Sequence, residues 1–157
     1  METTKNKTTL LIMAAGMGSR FGSLKQLALL GPHKKTLLHY SIYDAVHAGF
    51  DKIVFIIRRS FENEFKEAVG KYAESLVETV YCFQEMDQLP GNLPPIQREK
   101  PWGTAHAIWA AKDHIHEPFI AINADDFYGR DAFVKMHDFV ASNTDERCFS
   151  LAGYRLA

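Results

Sequence analysis

Apolar and polar positions form alternating blocks along the chain, and each block fits either a strand or a helix. Short continuous apolar runs predict buried strands at residues 8–14, 52–57, 78–83, 119–123 and 148–154. Apolar residues spaced three and four apart predict helices at residues 36–48, 60–69, 104–115 and 131–141. The alternation predicts an α/β fold in three layers: a mostly parallel, twisted sheet with helices on both faces.

Three residues mark where predicted helices begin or end. Thr36 can cap the N-terminus of the first helix, and Gly49 can end that helix in the left-handed conformation. Gly70 is expected to end the second helix in the same way.

One segment interrupts the alternation. Residues 84–101 carry four of the six prolines in the chain and follow the third predicted strand. Open α/β sheets bind their ligands beyond the carboxyl ends of the strands, and long loops in compact domains are commonly functional. We expect this segment to contribute to a ligand site, the alternative being a surface insertion.

Length and charge narrow the class of protein. The 157 residues predict a single domain, 1–157, and the net charge of −1 argues against a nucleic-acid or membrane-surface role. No apolar stretch approaches the roughly 20 residues of a membrane helix, and the polar first residues lack a secretory core. We expect a cytoplasmic protein in which Cys82 and Cys148 are buried, reduced thiols.

The loop after the first predicted strand is rich in glycine and carries two positive charges. Gly16 and Gly18 let the backbone approach phosphates closely, and Arg20 and Lys25 add positive charge. A P-loop is excluded because its GxxxxGK[ST] pattern does not occur in the chain. These features favour a nucleoside-triphosphate loop without a P-loop helix.

A dinucleotide site remains an alternative. The GxGxxG fingerprint fails because its third glycine, Gly22, comes one residue late. Arg58 and Arg59 end the second strand and could hold the 2′-phosphate of NADP. Against this, Gly31 and Pro32 separate the glycines from the first helix. An NADP-dependent reductase is therefore the less favoured hypothesis.

Four motifs in order resemble the sugar nucleotidylyltransferase superfamily. The string AAGMGSRFGSLKQL at 14–27 resembles its G-x-G-[TS]-R loop with a following lysine, and FQE at 83–85 resembles its base-contacting segment. GTAHAIWAA at 103–111 resembles the hexosamine-phosphate uridylyltransferases, and NADDFYG at 123–129 resembles the strand-end metal motif. The resemblance covers about residues 8–154 and implies a Rossmann-like, GT-A-like fold.

The resemblance implies a role for each matching residue. Ala14, Ala15 and Gly16 would lie against the nucleoside, while Gly18, Ser19, Arg20 and Lys25 would hold the phosphates. The residues facing the base would be Gln84, Gly103 and Thr104. An amide offers both a donor and an acceptor, which favours a pyrimidine, and Thr104 could instead be a simple helix N-cap. His106 is expected to be structural.

Two neighbouring carboxylates are candidates for a magnesium site. Asp125 and Asp126 follow a predicted strand, and Mg²⁺ takes oxygen ligands. Asp125 aligns with the aspartate of the superfamily motif. The chain departs from that motif because an ungapped match on Phe-Tyr-Gly would place Ala124 at the metal position. The choice between the two aspartates stays open, as does a turn-forming role for the pair.

The resemblance implies nucleotidyl transfer. A sugar 1-phosphate, or a phospho-alcohol such as phosphocholine, would receive NMP from a nucleoside triphosphate, with Mg²⁺, Arg20 and Lys25 stabilising the charge as pyrophosphate leaves. The chain resembles the nucleotide-binding part without the acceptor-binding C-terminal part, so we expect weak or no turnover by it alone. A non-catalytic nucleotide sensor is the main alternative. An exposed sheet edge would invite pairing with another chain, so a homo-oligomer is also an open expectation.

Overall fold

The computed structural model describes residues 7–16, 29–30, 32, 35–91, 94, 102–143, 145 and 147–153. Its strands are β1 (Thr9–Met13), β2 (Leu29–Leu30), β3 (Lys35–Thr36), β4 (Lys52–Ile57), β5 (Glu78–Phe83) and β6 (Phe119–Asn123). Its helices are α1 (Leu37–Ala48), α2 (Glu62–Phe65), α3 (Lys71–Glu74), α4 (Thr104–Ala110) and α5 (Arg130–Ser142). A 3₁₀ turn, Arg59–Phe61, precedes α2, and a π-helical segment, Lys66–Gly70, joins α2 to α3.

Four parallel strands form the main sheet in the order β5-β4-β1-β6. Met13 of β1 pairs with Ile56 of β4 on one side and with Asn123 of β6 on the other. Along the chain, β4 pairs with one side of β1 and β5 pairs with the far side of β4. The last strand, β6, then pairs with the opposite side of β1. The strand order thus reverses between β1 and β6, which is where open α/β sheets bind ligands.

Helices cover both faces of this sheet. Leu10 and Ile12 of β1 belong to a cluster with residues of α1, α2, α3 and α5. Leu11 belongs to a second cluster, which includes Ala107 and Ala111 from and just after α4. Successive residues of a strand point to opposite faces, so the continuous apolar run of β1 fills both layers. The predicted three-layer α/β architecture is confirmed.

The predicted boundaries of α1 are confirmed. Thr36 is the N-cap, in extended conformation, and its backbone N–H donates to His39 Nδ1 at 3.2 Å. Gly49 ends the helix with φ 113°, and its N–H donates to the carbonyl of Ala45 at 3.1 Å. A left-handed C-cap of this kind favours glycine.

Gly70 was expected to end a helix, and this prediction is wrong. Its backbone is right-handed helical (φ −57°), and the helical segment continues to Glu74. A β-carbon at Gly70 would lie 2.2 Å from the hydroxyl oxygen of Tyr81. That hydroxyl donates to Glu74 Oε1 at 2.7 Å. Gly70 is needed because an aromatic side chain crosses closely above it, and not because the chain turns.

Replacing Gly70 by alanine is expected to destabilise the protein by about 1–3 kcal/mol, the usual cost of overpacking. Helix propensity alone predicts the opposite sign, since alanine is favoured over glycine by about 1 kcal/mol. Urea unfolding of Gly70→Ala in the wild type and in a Tyr81→Phe background separates the two effects, because phenylalanine lacks the clashing oxygen. An equal or larger loss in the Tyr81→Phe background would contradict the clash.

The segment 104–115 is only partly helical. α4 ends at Ala110, and residues 111–114 form turns. Lys52, at the start of β4, donates from Nζ to the carbonyl of His114 at 2.6 Å and to Glu117 Oε1 at 2.9 Å. The backbone carbonyl of His114 is satisfied by this lysine and not by a continuing helix.

The predicted fifth strand is wrong where the structure describes it. Residues 148–153 form no strand, and Phe149 and Leu151 are 90% and 96% exposed. Cys148 is exposed as well, whereas Cys82 is buried as predicted. A continuous apolar run becomes a buried strand only where a neighbouring strand and a covering layer receive it. Among the described residues, neither covers this segment.

Thr9, Lys52 and Glu117 form a hydrogen-bonded, charged cluster at the amino edge of the sheet. Glu117 lies between the hydroxyl of Thr9, which donates to it, and Lys52, and both charged side chains are largely buried. Burial raises the pKa of Glu117, but the hydrogen bonds from Thr9, Lys52 and the backbone N–H of His116, together with the charge of Lys52, outweigh it and lower the pKa to about 2. Folding thus favours the ionised carboxylate.

Glu117→Gln is expected to lower the free energy of unfolding by about 2 kcal/mol at neutral pH. Because the pKa of Glu117 is lowered on folding, its contribution is complete above pH 4.5 and is lost as the pH falls towards 2. Denaturant melts should show the gap between wild type and variant closing over this range. Glu67→Gln, at an exposed pair with Lys71, is the control and should change stability little at any pH.

Within the described part of the chain, no helix is long and apolar enough to cross a membrane.

Candidate nucleotide-binding site

The chain leaves β1 and β6 side by side at the carboxyl edge of the sheet. The N–H of Ala14 donates to the carbonyl of Ile56 at 2.8 Å, and the N–H of Ala124 donates to the carbonyl of Met13 at 3.1 Å. These bonds extend the parallel pairing one residue beyond each strand. The loops that follow therefore start from fixed points on either side of the reversal in strand order.

The first predicted nucleoside contacts lie at this edge. Ala14 and Ala15 are both 3% exposed, and Gly16, which follows them, is exposed. Ala15 packs in the same cluster as Ala107 of α4. Small side chains are required here because the helix layer lies directly against the strand end. The predicted phosphate contacts Gly18, Ser19, Arg20 and Lys25 lie outside the described residues.

The three predicted base contacts come together. The backbone N–H of Gln84 donates to the carbonyl of Ile57 at 3.0 Å, which fixes the chain just after β5. The buried side chain donates from Nε2 to the carbonyl of Trp102 at 2.9 Å and approaches that of Gly103 at 3.4 Å. Gly103 is the N-cap of α4 and Thr104 its first residue, so the alternative of Thr104 as N-cap is wrong.

Sequence reasoning missed how His106 and Trp102 take part. His106 Nδ1 lies 3.3 Å from Gln84 Nε2, and its Nε2 lies 2.5 Å from the carbonyl of Gln88. The indole N–H of Trp102 donates to the carbonyl of Met86 at 3.0 Å. Both side chains thus hold the segment after β5 against the start of α4. Only the position of His106 within GTAHA pointed to it in the sequence, and its partners Gln88 and Gln84 lie 18 and 22 residues away.

The two candidate metal ligands differ in their surroundings. Asp126 Oδ2 accepts from Asn123 Nδ2 at 2.8 Å and from the hydroxyl of Tyr128 at 3.3 Å. The same hydroxyl accepts from the backbone N–H of Asn123 at 3.0 Å. Asp125 is exposed and follows the buried Ala124 at the end of β6. Asp126 therefore braces the turn that presents Asp125.

The carboxylates of Asp125 and Asp126 are too few to enclose a metal ion, but they suit a magnesium ion whose other ligands are phosphates and waters. Among the residues that the structure describes, no group of three or more His, Cys, Asp or Glu side chains could enclose a metal. Mg²⁺ in nucleotide sites is usually held by one or two carboxylates together with phosphates and waters. An exposed carboxylate on a braced turn beside β1 fits that chemistry.

The arginines of the NADP hypothesis are engaged elsewhere. The guanidinium of Arg59 lies 3.9 Å from the centre of the Phe83 ring, and its backbone N–H donates to Glu85 Oε1 at 3.3 Å. Arg58 lies 5.8 Å above the Phe61 ring. Both arginines follow β4, which lies on the far side of β1 from β6.

A family comparison decides the class of protein. The sequence model described as "Nucleotidyl transferase" matches residues 9–155. The chain belongs to this family. The resemblance read from the sequence is thereby confirmed.

Individual relatives agree with the family. The UTP–glucose-1-phosphate uridylyltransferase of Bacillus subtilis is 28% identical over 130 residues, which cover 74% of this chain and 43% of that protein. The bifunctional protein GlmU of Staphylococcus haemolyticus is 30% identical over 107 residues, covering 68% of this chain and 19% of that protein.

A solved structure agrees on the fold. The putative glucose-1-phosphate thymidylyltransferase of Bacillus anthracis superposes with a TM-score of 0.62 at 18% identity. The superposition covers 84% of this chain and 50% of that one. At this identity the likeness confirms the fold class. The chain spans half or less of the length of these three proteins.

Proposed function

We propose that this chain is the nucleotide-binding part of an enzyme that transfers NMP from a nucleoside triphosphate to a sugar 1-phosphate, releasing pyrophosphate. One observation carries the proposal: the family match over residues 9–155 coincides with a sheet edge where Gly16 and Asp125 leave adjacent strands. Gln84 and Gly103 contact each other at the same edge of the sheet. We take the acceptor site to lie in a C-terminal part beyond this chain.

The chain's own residues would act mainly by positioning and by charge. Gly16 and Gly18 let the backbone approach the phosphates, while Arg20 and Lys25 neutralise the α-phosphate as the acceptor's phosphate oxygen attacks in line. Asp125 would hold Mg²⁺, which when bound offsets the charge on the triphosphate and on leaving pyrophosphate. The proposal needs no protein nucleophile because the phosphorylated acceptor supplies the attacking oxygen.

A pyrimidine nucleotide and a sugar 1-phosphate are the proposed substrates. The names of the B. subtilis and B. anthracis proteins specify uridylyl and thymidylyl transfer, respectively, and both name glucose 1-phosphate. A phospho-alcohol acceptor such as phosphocholine is the second candidate. We place the reaction in the cytoplasm, where nucleoside triphosphates are available. A homo-oligomer is also part of the proposal, because β6 is an edge strand in the described part of the sheet and an edge strand can pair with another chain.

A thermal-shift panel tests this function. The chain is melted with UTP, dTTP, CTP, ATP, GTP and NADPH, each with Mg²⁺ and with EDTA, because a ligand of the folded state raises the melting temperature. We expect a Mg²⁺-dependent rise with a pyrimidine triphosphate. A rise that ignores Mg²⁺ would favour the sensor, a rise with NADPH alone would favour the reductase, and no rise with any ligand would reject the nucleotide site.

A further inference from the structure

The chain between β6 and α5 is held at both of its ends. At the first end, the N–H of Ala124 donates to the carbonyl of Met13, so the backbone is fixed one residue beyond β6. At the second end, Tyr128 is half-buried and packs against the core, with its ring centre 6.1 Å from that of Phe133 in an edge-to-face arrangement. The three exposed residues between these two points begin with Asp125, the proposed magnesium ligand.

The hydroxyl of Tyr128 closes this loop. Successive N–H groups of a strand point to opposite sides, and the N–H of Ala124 points to β1. The N–H of Asn123 therefore points to the other side of β6, where the described part of the chain places no strand. It donates to the Tyr128 hydroxyl at 3.0 Å. The loop is thus tied back to the last residue of the strand from which it starts.

The same hydroxyl also engages the second carboxylate of the loop. A backbone N–H can only donate, so the Tyr128 oxygen accepts from Asn123 and donates its own hydrogen elsewhere. Asp126 Oδ2 lies 3.3 Å from this hydroxyl and 2.8 Å from Asn123 Nδ2, and it accepts from both. Two donors on one oxygen restrict the rotation of the Asp126 side chain.

The other contacts described for the loop do not replace the hydroxyl. The bond from Ala124 holds only the first end of the loop, and the bond between Asn123 and Asp126 joins two exposed side chains. The packing against Phe133 fixes the Tyr128 ring, whereas the hydroxyl connects that ring to the backbone of β6. Removing this one oxygen atom should therefore loosen the loop and leave the packing of the ring in place.

We propose that Tyr128 is a positioning residue, whose hydroxyl holds the loop 124–128 in the shape that directs the Asp125 carboxylate to a magnesium ion on the triphosphate. The inference rests on the proposed function, in which Asp125 binds that ion. Removing a group that orients a metal ligand without touching the metal commonly costs about 10- to 100-fold in metal affinity or activity. Tyr128 acts on the ion through Asp125, so its loss should reduce the effect of Mg²⁺ and spare the binding that does not depend on the metal.

Tyr128→Phe tests this role because it removes the hydroxyl and keeps the ring. Calorimetric titration with UTP and with dTTP, each in Mg²⁺ and in EDTA, gives the Mg²⁺ effect as a ratio of two affinities. We expect a ratio of roughly tenfold in the wild type and of about twofold or less in Tyr128→Phe, with the affinity in EDTA unchanged. A purely structural role would lower both affinities by the same factor.

The matched control is Tyr81→Phe. It removes a hydroxyl that also donates to a carboxylate, Glu74 Oε1 at 2.7 Å, on β5 at the other end of the strand order from β6. This variant should keep the wild-type ratio.

A wild-type ratio in Tyr128→Phe, or equal losses in Mg²⁺ and in EDTA, would overturn the inference while leaving the proposed function intact. A reduced ratio in Tyr81→Phe would overturn it as well, since the loss would then not depend on this loop. A wild type that binds neither triphosphate, or that binds them without a response to Mg²⁺, would reject the proposed function, and the inference with it.

Discussion

Removing Arg20 and Lys25 together should weaken the binding of the pyrimidine triphosphate by about 100-fold or more, with the fold unchanged. Charge-assisted contacts to phosphate contribute about 1.5–3 kcal/mol each, so even partial additivity reaches this range. The chain as a whole carries a net charge of −1 and supplies no general attraction for an anion. We therefore expect the affinity to come from local positive charges and propose that Arg20 and Lys25 supply them.

Calorimetric titration of Arg20→Ala, Lys25→Ala and the double variant checks this prediction. The control is Lys71→Ala with Arg147→Ala, which removes the same charges from exposed positions where they pair with Glu67 and Asp145. The control should bind as the wild type does, apart from a small effect that added salt abolishes. Wild-type affinity in both single variants would remove this loop from the phosphate site.

The parts of the fold that were predicted correctly are those with local causes. Thr36 and Gly49 bound α1 through contacts with His39 and Ala45, three and four residues away. The strand assignments of β4, β5 and β6 also hold. All six residues of β4 are buried, as expected for a run that is apolar on both faces, whereas one face of β6 is exposed at Phe119, Ala121 and Asn123. In each case the determining pattern lies within one element and is visible in the sequence.

The errors have non-local causes. Gly70 was assigned as a helix end because glycine is common there. In the structure it leaves room for the hydroxyl of Tyr81, a residue of the following strand, and the sequence pattern around Gly70 does not show this contact. Phe149 and Leu151 form a strand-like apolar run, yet they are exposed because no described strand pairs with them. Propensity describes what a segment can do, and its neighbours decide whether it does so.

The candidate site shows the same division. Gly16 and Asp125 could be placed at one edge of the sheet because they follow predicted parallel strands. The contact between Gln84 and the start of α4 depends on how a proline-rich segment folds back over 18 residues. The periodicity of apolar residues does not encode how such a segment folds back. The family resemblance implied that Gln84 and Gly103 both face the base, but it did not predict the hydrogen bonds that hold them together.

Asp125→Asn should abolish the effect of Mg²⁺ on nucleotide binding. In the wild type, Mg²⁺ is expected to tighten triphosphate binding by roughly tenfold, about 1.4 kcal/mol, because the ion links the carboxylate to the phosphates. Asparagine keeps the size of the side chain and removes the charge, so binding with Mg²⁺ should fall to the level with EDTA. The measurement is a pair of calorimetric titrations for each variant, with Mg²⁺ and with EDTA.

Asp126→Asn is the matched comparison, since the two carboxylates are neighbours and differ in what they contact. Asp126 accepts hydrogen bonds from Asn123 and Tyr128, and an asparagine oxygen can still accept both. This variant should keep most of the Mg²⁺ effect and lose at most about 1–2 kcal/mol of stability through a weaker turn. The reverse result, in which Asp126→Asn alone loses the effect, would make Asp126 the ligand. That outcome would require the turn after β6 to give up its bonds to Asn123 and Tyr128 on binding metal.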